Sequence, residues 1–261
     1  MTWMSGKLIL SRQNTMSENE IYGIHAVSAA LANPHRTVKK IYINQERTDT
    51  RLQVLLDKAL ERSIPIDRLS VSVLNKRFPD VSHQGVIACV GKLPEYSESH
   101  LPQLLESSKS PALVLILDGV TDPHNLGACL RSADAAGVDF VVIPKDKSAS
   151  ITPVVSKVAC GAAESVPVVR VTNLARAIEA LKEYGVWIYG AAGEAETSLY
   201  SLDTKTSIAL VMGAEGTGLR RLTRDLCDGL FCLPMLGEVS SLNVSVATGV
   251  SLYEIVRQRR D

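Results

Sequence analysis

Residues 113–136 read LVLILDGVTDPHNLGACLRSADAA. Leu113–Leu117 is an unbroken apolar run, too short for an independent helix and suited to a strand buried on both faces. Asp122-Pro123 is turn chemistry, and Asn125 offers a side chain able to cap a helix beyond the turn. From Gly127 to Ala136 small and apolar residues recur at helical spacing, so the stretch reads as strand, turn and helix. The alternation continues outward from it. Phe140–Ile143 reads as a strand, and Leu174, Ala177, Ile178 and Leu181 as a helix opened by Thr172 or Asn173. Val186–Tyr189 and Ile208–Met212 read as strands, Leu219–Leu226 as a helix, Leu230–Leu233 as a strand, and Val244–Arg259 as a long closing helix. Apolar strands interleaved with helices predict an α/β fold with a mainly parallel sheet covered on both faces.

Upstream, Ile24, Val27, Ala30 and Leu31 follow helical spacing, and Ile41–Ile43 is a short strand. Leu52, Leu55, Leu56 and Ala59 form a second amphipathic helix, and Val86–Val90 a buried strand. These elements predict a small α/β domain over residues 20–91. Residues 92–111 hold Pro94, Pro102, Pro111 and several serines, the composition of a linker with one short helix near Leu101–Leu105. Residues 112–261 form the second domain. Residues 1–19 have no sustained period and include a second methionine, Met16, and are expected to be a disordered leader.

The 261 residues carry 28 Lys and Arg against 28 Asp and Glu, so the net charge is zero. The balance is uneven, with 13 basic against 8 acidic residues over 1–92 and 15 against 20 over the remainder. A +5 first half is drawn weakly toward a polyanion, with Lys39, Lys40, Arg47, Arg51, Lys76 and Arg77 as candidate phosphate contacts. Five cysteines without a C-x-x-C pair argue against a structural zinc or a disulfide scaffold and suit a reducing compartment. No apolar run approaches the ~18 residues of a membrane span, and the start lacks a signal-peptide pattern. The expectation is a cytoplasmic protein with no membrane partner and no metal.

Three segments at strand ends hold the unusual residues. The first runs from Leu117 to Asp134 and contains Asp122, Asn125 and Arg131. Arg131 among Ala, Cys and Leu invites an anionic or hydroxyl partner, the alternative being a pairing with Asp134 on a neighbouring face. His124 has no His or Cys at metal spacing and reads as a turn residue. The second is Val211–Arg220, with Gly213, Gly216 and Gly218. Its G-x-x-G-x-G spacing is neither a dinucleotide fingerprint nor a Walker loop, and Glu215 within it repels phosphate, so a cationic or neutral ligand suits it better. The third is Leu233-Pro234-Met235 with Gly237–Ser245, where Ser240, Ser241 and Asn243 precede a helix as an N-cap cluster.

Taken together, the three segments resemble the signature motifs of the SpoU-type (TrmH-like) RNA ribose 2′-O-methyltransferases. The likeness runs through Asp122-Pro123, Asn125, Gly127 and Arg131; Met212–Gly216 with Gly218-Leu219; and Pro234-Met235 with Ser241–Ser245. Ile21–Val27 and His83–Val86 are similar to the L30e-like RNA-binding domain found in some members. The resemblance implies a trefoil-knotted (SPOUT) carboxyl-terminal domain, a homodimer, and S-adenosyl-L-methionine held near Gly193, Gly213, Leu233 and Leu242. It implies methyl transfer to the ribose 2′-hydroxyl of a guanosine in 23S rRNA, in the peptidyl-transferase-centre P-loop, on naked rRNA or a large-subunit assembly intermediate, with no DNA partner. The same chemistry on a tRNA ribose or another rRNA loop, and a catalytically silent RNA-binding or assembly factor, stay open.

By the same resemblance Arg131 is the catalytic residue, Asn125 and Asn243 orient it or the ribose, and Glu215 and Ser241 shape the pocket. As a general base near neutral pH a guanidinium would have to shift by roughly 6 pKa units, about 8 kcal/mol. Electrostatic stabilisation of the developing alkoxide, or a grip on RNA phosphate, demands far less.

Overall fold

The structure, a computed structural model, describes residues 20–79 and 81–260, so the leader expected over residues 1–19 lies outside the described residues. The amino-terminal elements are β1 (Glu20–Tyr22), α1 (Ile24–Ala32), β2 (Val38–Asn44), α2 (Thr50–Glu61), β3 (Ile66–Leu69), α3 (Val71–Arg77) and β4 (Val86–Val90). They build a four-stranded sheet of order β1-β4-β2-β3. β2 and β3 are parallel, whereas β4 is antiparallel to both β1 and β2. The apolar run Val86–Val90 is compatible with either direction, because burial on both faces does not depend on it. One face packs Val27, Ile41, Leu52, Leu55 and Val86 beneath α1 and α2; the other packs Tyr22, Tyr42, Leu74, Phe78 and Ile87 beneath α3.

A 3-10 turn (Glu98–His100) and α4 (Leu101–Ser107) lead to the second array. It comprises β5 (Leu113–Asp118), α5 (Pro123–Ala136), β6 (Phe140–Pro144), α6 (Pro153–Val158), α7 (Ala162–Ser165), β7 (Val168–Val171), α8 (Leu174–Glu183), β8 (Trp187–Ala191), β9 (Ile208–Gly213), α9 (Arg221–Asp225), β10 (Gly229–Phe231) and α10 (Val244–Arg260). Its sheet has the order β10-β8-β9-β5-β6-β7, and every pairing in it is parallel. One core lies under α5, α6, α7 and α10, the other under α4, α8 and α9. Among the described residues no helix is long and apolar enough to cross a membrane.

Some local boundaries differ from expectation. α6, α7 and β7 are too short to show a period and emerge only in the structure. α5 starts at Pro123, ahead of Gly127, because Asp122 is its cap, accepting from His124 N at 2.9 Å, and Pro123 fills a position that needs no N–H. Asn125 is therefore inside the helix rather than its cap, and its side chain is released for another partner. β10 stops at Phe231, which leaves Leu233 beyond the strand. Asn173 caps α8 as its sequence suggests, accepting from Arg176 N at 3.2 Å.

α10 lies on α5 and buries Val244, Thr248, Ser251, Leu252 and Ile255. Its last turn is stapled to the strand starts by Arg259, which donates to the carbonyls of Thr204 at 3.0 Å, Pro111 at 2.9 Å, Ala112 at 3.0 Å and Thr206 at 2.7 Å. The connection from β8 to β9 is thus tied to the carboxyl end of α10, with Thr204 Oγ1 donating to Gln258 Oε1 at 2.8 Å. Arg259→Met is expected to lose about 2–4 kcal/mol, since four carbonyls lose a charged donor. A lower urea midpoint at unchanged m-value reads that loss, and an unshifted midpoint contradicts it.

Candidate active site

β5 and β9 are paired from Leu113↔Ile208 to Asp118↔Gly213, so the loops leaving their carboxyl ends begin side by side. The strand order also reverses here, with β6 and β7 on one side and β8 and β10 on the other. Open parallel sheets take their ligands at such a switch point. Gly213 is demanded by the loop itself: a Cβ there would lie 2.2 Å from Gly218 C. That approach lets Ala214 and Gly218 exchange main-chain hydrogen bonds of 3.2 and 2.9 Å and presents Glu215-Gly216-Thr217 as an exposed tip. The base of the loop is fastened by Asp118, fully buried at the end of β5, which accepts from Arg220 N at 3.1 Å and faces Arg220 Nε at 3.3 Å. Sequence reading passes over this pair; a carboxylate closing an all-apolar strand is its signal.

The three segments meet at Asn243. Its Oδ1 caps α10, accepting from Ser245 N at 2.9 Å, Ser245 Oγ at 2.6 Å and Val246 N at 3.4 Å. That leaves Nδ2 free to donate to Asn125 Oδ1 at 3.0 Å and to Glu215 Oε1. One amide thereby joins the starts of α5 and α10 to the glycine loop. Asn125, Glu215 and Val244 line, with Gly119, Val120, Thr121, Asp122 and Ala214, a cavity of about 90 Å³. Such a volume takes a hydroxyl group and a few waters, not a nucleotide. Beneath it Cys129 lies 3.5 Å from Thr248 Oγ1, and burial pushes its thiol up to about 11, so it is neutral and no nucleophile near pH 7.

Two expected residues stand apart. Ser241 is exposed and makes no hydrogen bond among the described residues. Arg131 is exposed on α5, and Asp134, its suspected partner, instead accepts from Ser165 Oγ at 2.5 Å. Arg131 has no ion-pair or hydrogen-bond partner among the described residues. It lies six positions beyond Asn125, about 9 Å along the helix and about a third of the way round its circumference.

The four residues expected around a cofactor follow the strand ends. Gly193 sits in the turn after β8, where Ala192 N donates to Phe231 O at 2.9 Å and Ala195 N to Ala192 O at 3.1 Å. Gly213 ends β9, Leu233 follows β10, and Leu242 adjoins Asn243. Ser198 and Cys232 form a bridge that brings the β8–β9 connection against the chain leaving β10. From Leu233 to Leu242 no main-chain N–H or C=O is hydrogen-bonded among the described residues. This donor set fits a neutral heterocycle read by main-chain groups, the manner of binding expected for an adenosyl group.

In the amino-terminal half, three of the six candidate phosphate contacts are engaged at home. Lys40 pairs with Asp67 at 2.7 Å, Arg47 with Asp49, and Arg77 donates to Tyr42 Oη at 2.8 Å while lying over its ring. Lys39, Arg51 and Lys76 have no such partner among the described residues.

Comparison with known proteins identifies the family. Residues 112–253 match the SpoU rRNA Methylase family, and residues 21–96 match the family described as RNA 2′-O ribose methyltransferase substrate binding. The chain is 54% identical over 246 residues to the 23S rRNA (guanosine-2′-O-)-methyltransferase RlmB of Pseudomonas putida, covering 94% of this chain and 99% of that one. It is 55% identical over 240 residues to the enzyme of the same name from Pseudomonas aeruginosa, covering 92% and 96%. Among solved structures it is similar to the SpoU methyltransferase AviRb from Streptomyces viridochromogenes in complex with the cofactor AdoMet. The TM-score there is 0.76 at 25% identity, covering 92% of this chain and 90% of that one.

Proposed function

The chain belongs to the SpoU rRNA methylase family, and from that premise we propose that it transfers a methyl group from S-adenosylmethionine to the ribose 2′-hydroxyl of a guanosine in 23S rRNA. The convergence of Asn125, Glu215 and Asn243 beside a stretch of free main-chain groups carries the reading. Bound S-adenosylmethionine supplies a sulfonium methyl, already activated for transfer. What the protein adds is position, and stabilisation of charge on the attacking oxygen. In this reading main-chain groups near Gly193, Gly213, Leu233 and Leu242 hold the cofactor. The Asn243 amide keeps Glu215 and Asn125 in place around the small cavity. Arg131 steadies the ribose oxygen or its phosphate.

We read residues 20–91 as the RNA-binding domain, 92–111 as the linker and 112–261 as the methyltransferase domain, with the β8–β9 connection and α10 as the threaded crossing of a trefoil knot. The active form is read as a homodimer in the cytoplasm. Val246, Val250 and Tyr253 leave one face of α10 exposed, and Leu236, Val239 and Leu242 extend it, an apolar surface suited to a second copy. Pairing of two copies there is also the step that brings an Arg131 to the amide cluster. All five cysteines are free, in keeping with a reducing compartment.

Labelled methyl transfer tests the assignment. The full chain is incubated with S-adenosylmethionine and, in separate arms, deproteinised 23S rRNA, immature large-subunit particles and total tRNA, and the modified nucleotide is mapped. Label on a guanosine ribose of 23S rRNA is expected, and the stronger of the first two arms identifies the natural form of the substrate. Label confined to tRNA, or none on any RNA, overturns the assignment.

A further inference from the structure

The apolar cores of the two halves are separate clusters, and between the halves runs a cleft of about 790 Å³. Their mutual orientation is therefore set by particular contacts rather than by a shared core. One of them is α1 against the turn between α6 and α7. Gly161 there has φ 104°, and a Cβ on it would come within 2.6 Å of Ala29 Cβ. At the end of α1, Asn33 Nδ2 donates to Glu164 O at 2.8 Å. Beside it Arg36 Nε lies 3.3 Å from Glu164 Oε1, with side chains 5% and 3% exposed.

The pair is braced on both sides. Arg36 Nη1 donates to Gly91 O, where the first domain passes into the linker. Arg62 grips the turn that carries Arg36, donating to Leu31 O at 2.6 Å and Arg36 O at 3.0 Å. At the opposite end of α1, Lys157 of α6 lies 5.5 Å from the Tyr22 ring. Burial pushes the Glu164 carboxyl up and the Arg36 guanidinium down in spite of their attraction, so desolvation is the larger influence on each. A buried ion pair adds little net stability over an apolar pair of the same volume; its better-supported use is to select one arrangement among several.

We propose that Arg36–Glu164 is a positioning pair, fixing one orientation of the RNA-binding domain on the methyltransferase domain and so deciding which ribose of a bound RNA reaches the active site. The choice of ribose rests on the proposed function; the fixed orientation does not. Neither residue touches the site.

The test uses the full chain as wild type, Glu164→Gln, Arg36→Met, the reversed pair R36E/E164R and the apolar pair R36M/E164L. The readouts are KM and kcat on a 23S rRNA fragment, the nucleotide map, S-adenosylmethionine affinity by calorimetry, and small-angle scattering. In the single variants KM is expected to rise about tenfold, as it does when the orientation competent to bind is populated only about a tenth of the time. Label should spread to neighbouring riboses, with kcat and cofactor affinity within about twofold of wild type and a broader scattering envelope, and the reversed pair should restore the first two. Should the single variants fail to fold, the apolar pair, which leaves no lone charge, takes their place. Unchanged KM, map and scattering in folded variants overturn the proposal, as does a uniform fall in kcat and cofactor affinity. If the wild type methylates no RNA, the proposed function falls, and scattering alone decides the positioning role.

Discussion

Arg131→Ala is expected to lower kcat by about 10²–10³-fold, the usual cost of removing one donor that stabilises a developing oxyanion. S-adenosylmethionine affinity and thermal stability should stay near wild type. The side chain is exposed and without a partner among the described residues, so truncating it leaves no buried group unsatisfied. Calorimetric titration beside single-turnover kinetics separates the two quantities, and a fall in cofactor affinity comparable to the fall in turnover refutes the assignment. Mixed dimers go further. If one copy's Arg131 serves the other copy's amide cluster, combining Arg131→Ala with Asn243→Asp chains rebuilds one intact site per mixed dimer, and activity returns. If each chain serves itself, every site in the mixture keeps one lesion and activity stays at the level of the single variants.

Asn243→Asp is the second large effect. The carboxylate still accepts from Ser245 N and Val246 N, so α10 keeps its cap and the fold is retained. What disappears is the donor to Asn125 and Glu215, and in its place two carboxylates face each other. Turnover near neutral pH should drop about 10²-fold, the order seen when a positioned active-site group is displaced. The pH profile carries the diagnosis. Two close carboxylates raise the pKa of one of them, so as pH falls through that raised value a proton enters the pair and restores a donor. Activity relative to wild type should therefore recover toward acid pH and diminish toward alkaline pH. Adding Glu215→Gln to Asn243→Asp returns a donor from the other side and should rescue activity at neutral pH. A flat profile with no rescue would show that the amide bridge is only structural.

Much of the site is legible as motifs because its residues are crowded at three strand ends, each a local pattern. Their meeting is not legible. Asn243 and Asn125 are 118 positions apart, and they touch only because β9 pairs beside β5 while α10 returns across the sheet to lie on α5. The role of Asn125 as a cap fails for a local reason, since Asp122-Pro123 starts the helix earlier than its apolar period does. Asp118 and Arg220 escape the sequence because an ion pair between the end of β5 and the start of α9, 102 positions further on, leaves no spacing to read. Arg131 and Asp134, suitably spaced, do not pair.

The sequence by itself determined the alternation of strands and helices, the apolar stripes that build the cores on both faces of each sheet, and the three motifs, because each depends on neighbours within a few turns of chain. Only the tertiary structure decided the order of strands, the direction of β4, the hydrogen bonds of the Asn243 amide, the staple at Arg259 and the burial of Arg36 against Glu164. These depend on which distant segments share a boundary from which water is excluded, and a desolvated pair of polar groups is recognised by what surrounds it rather than by what precedes it in the chain.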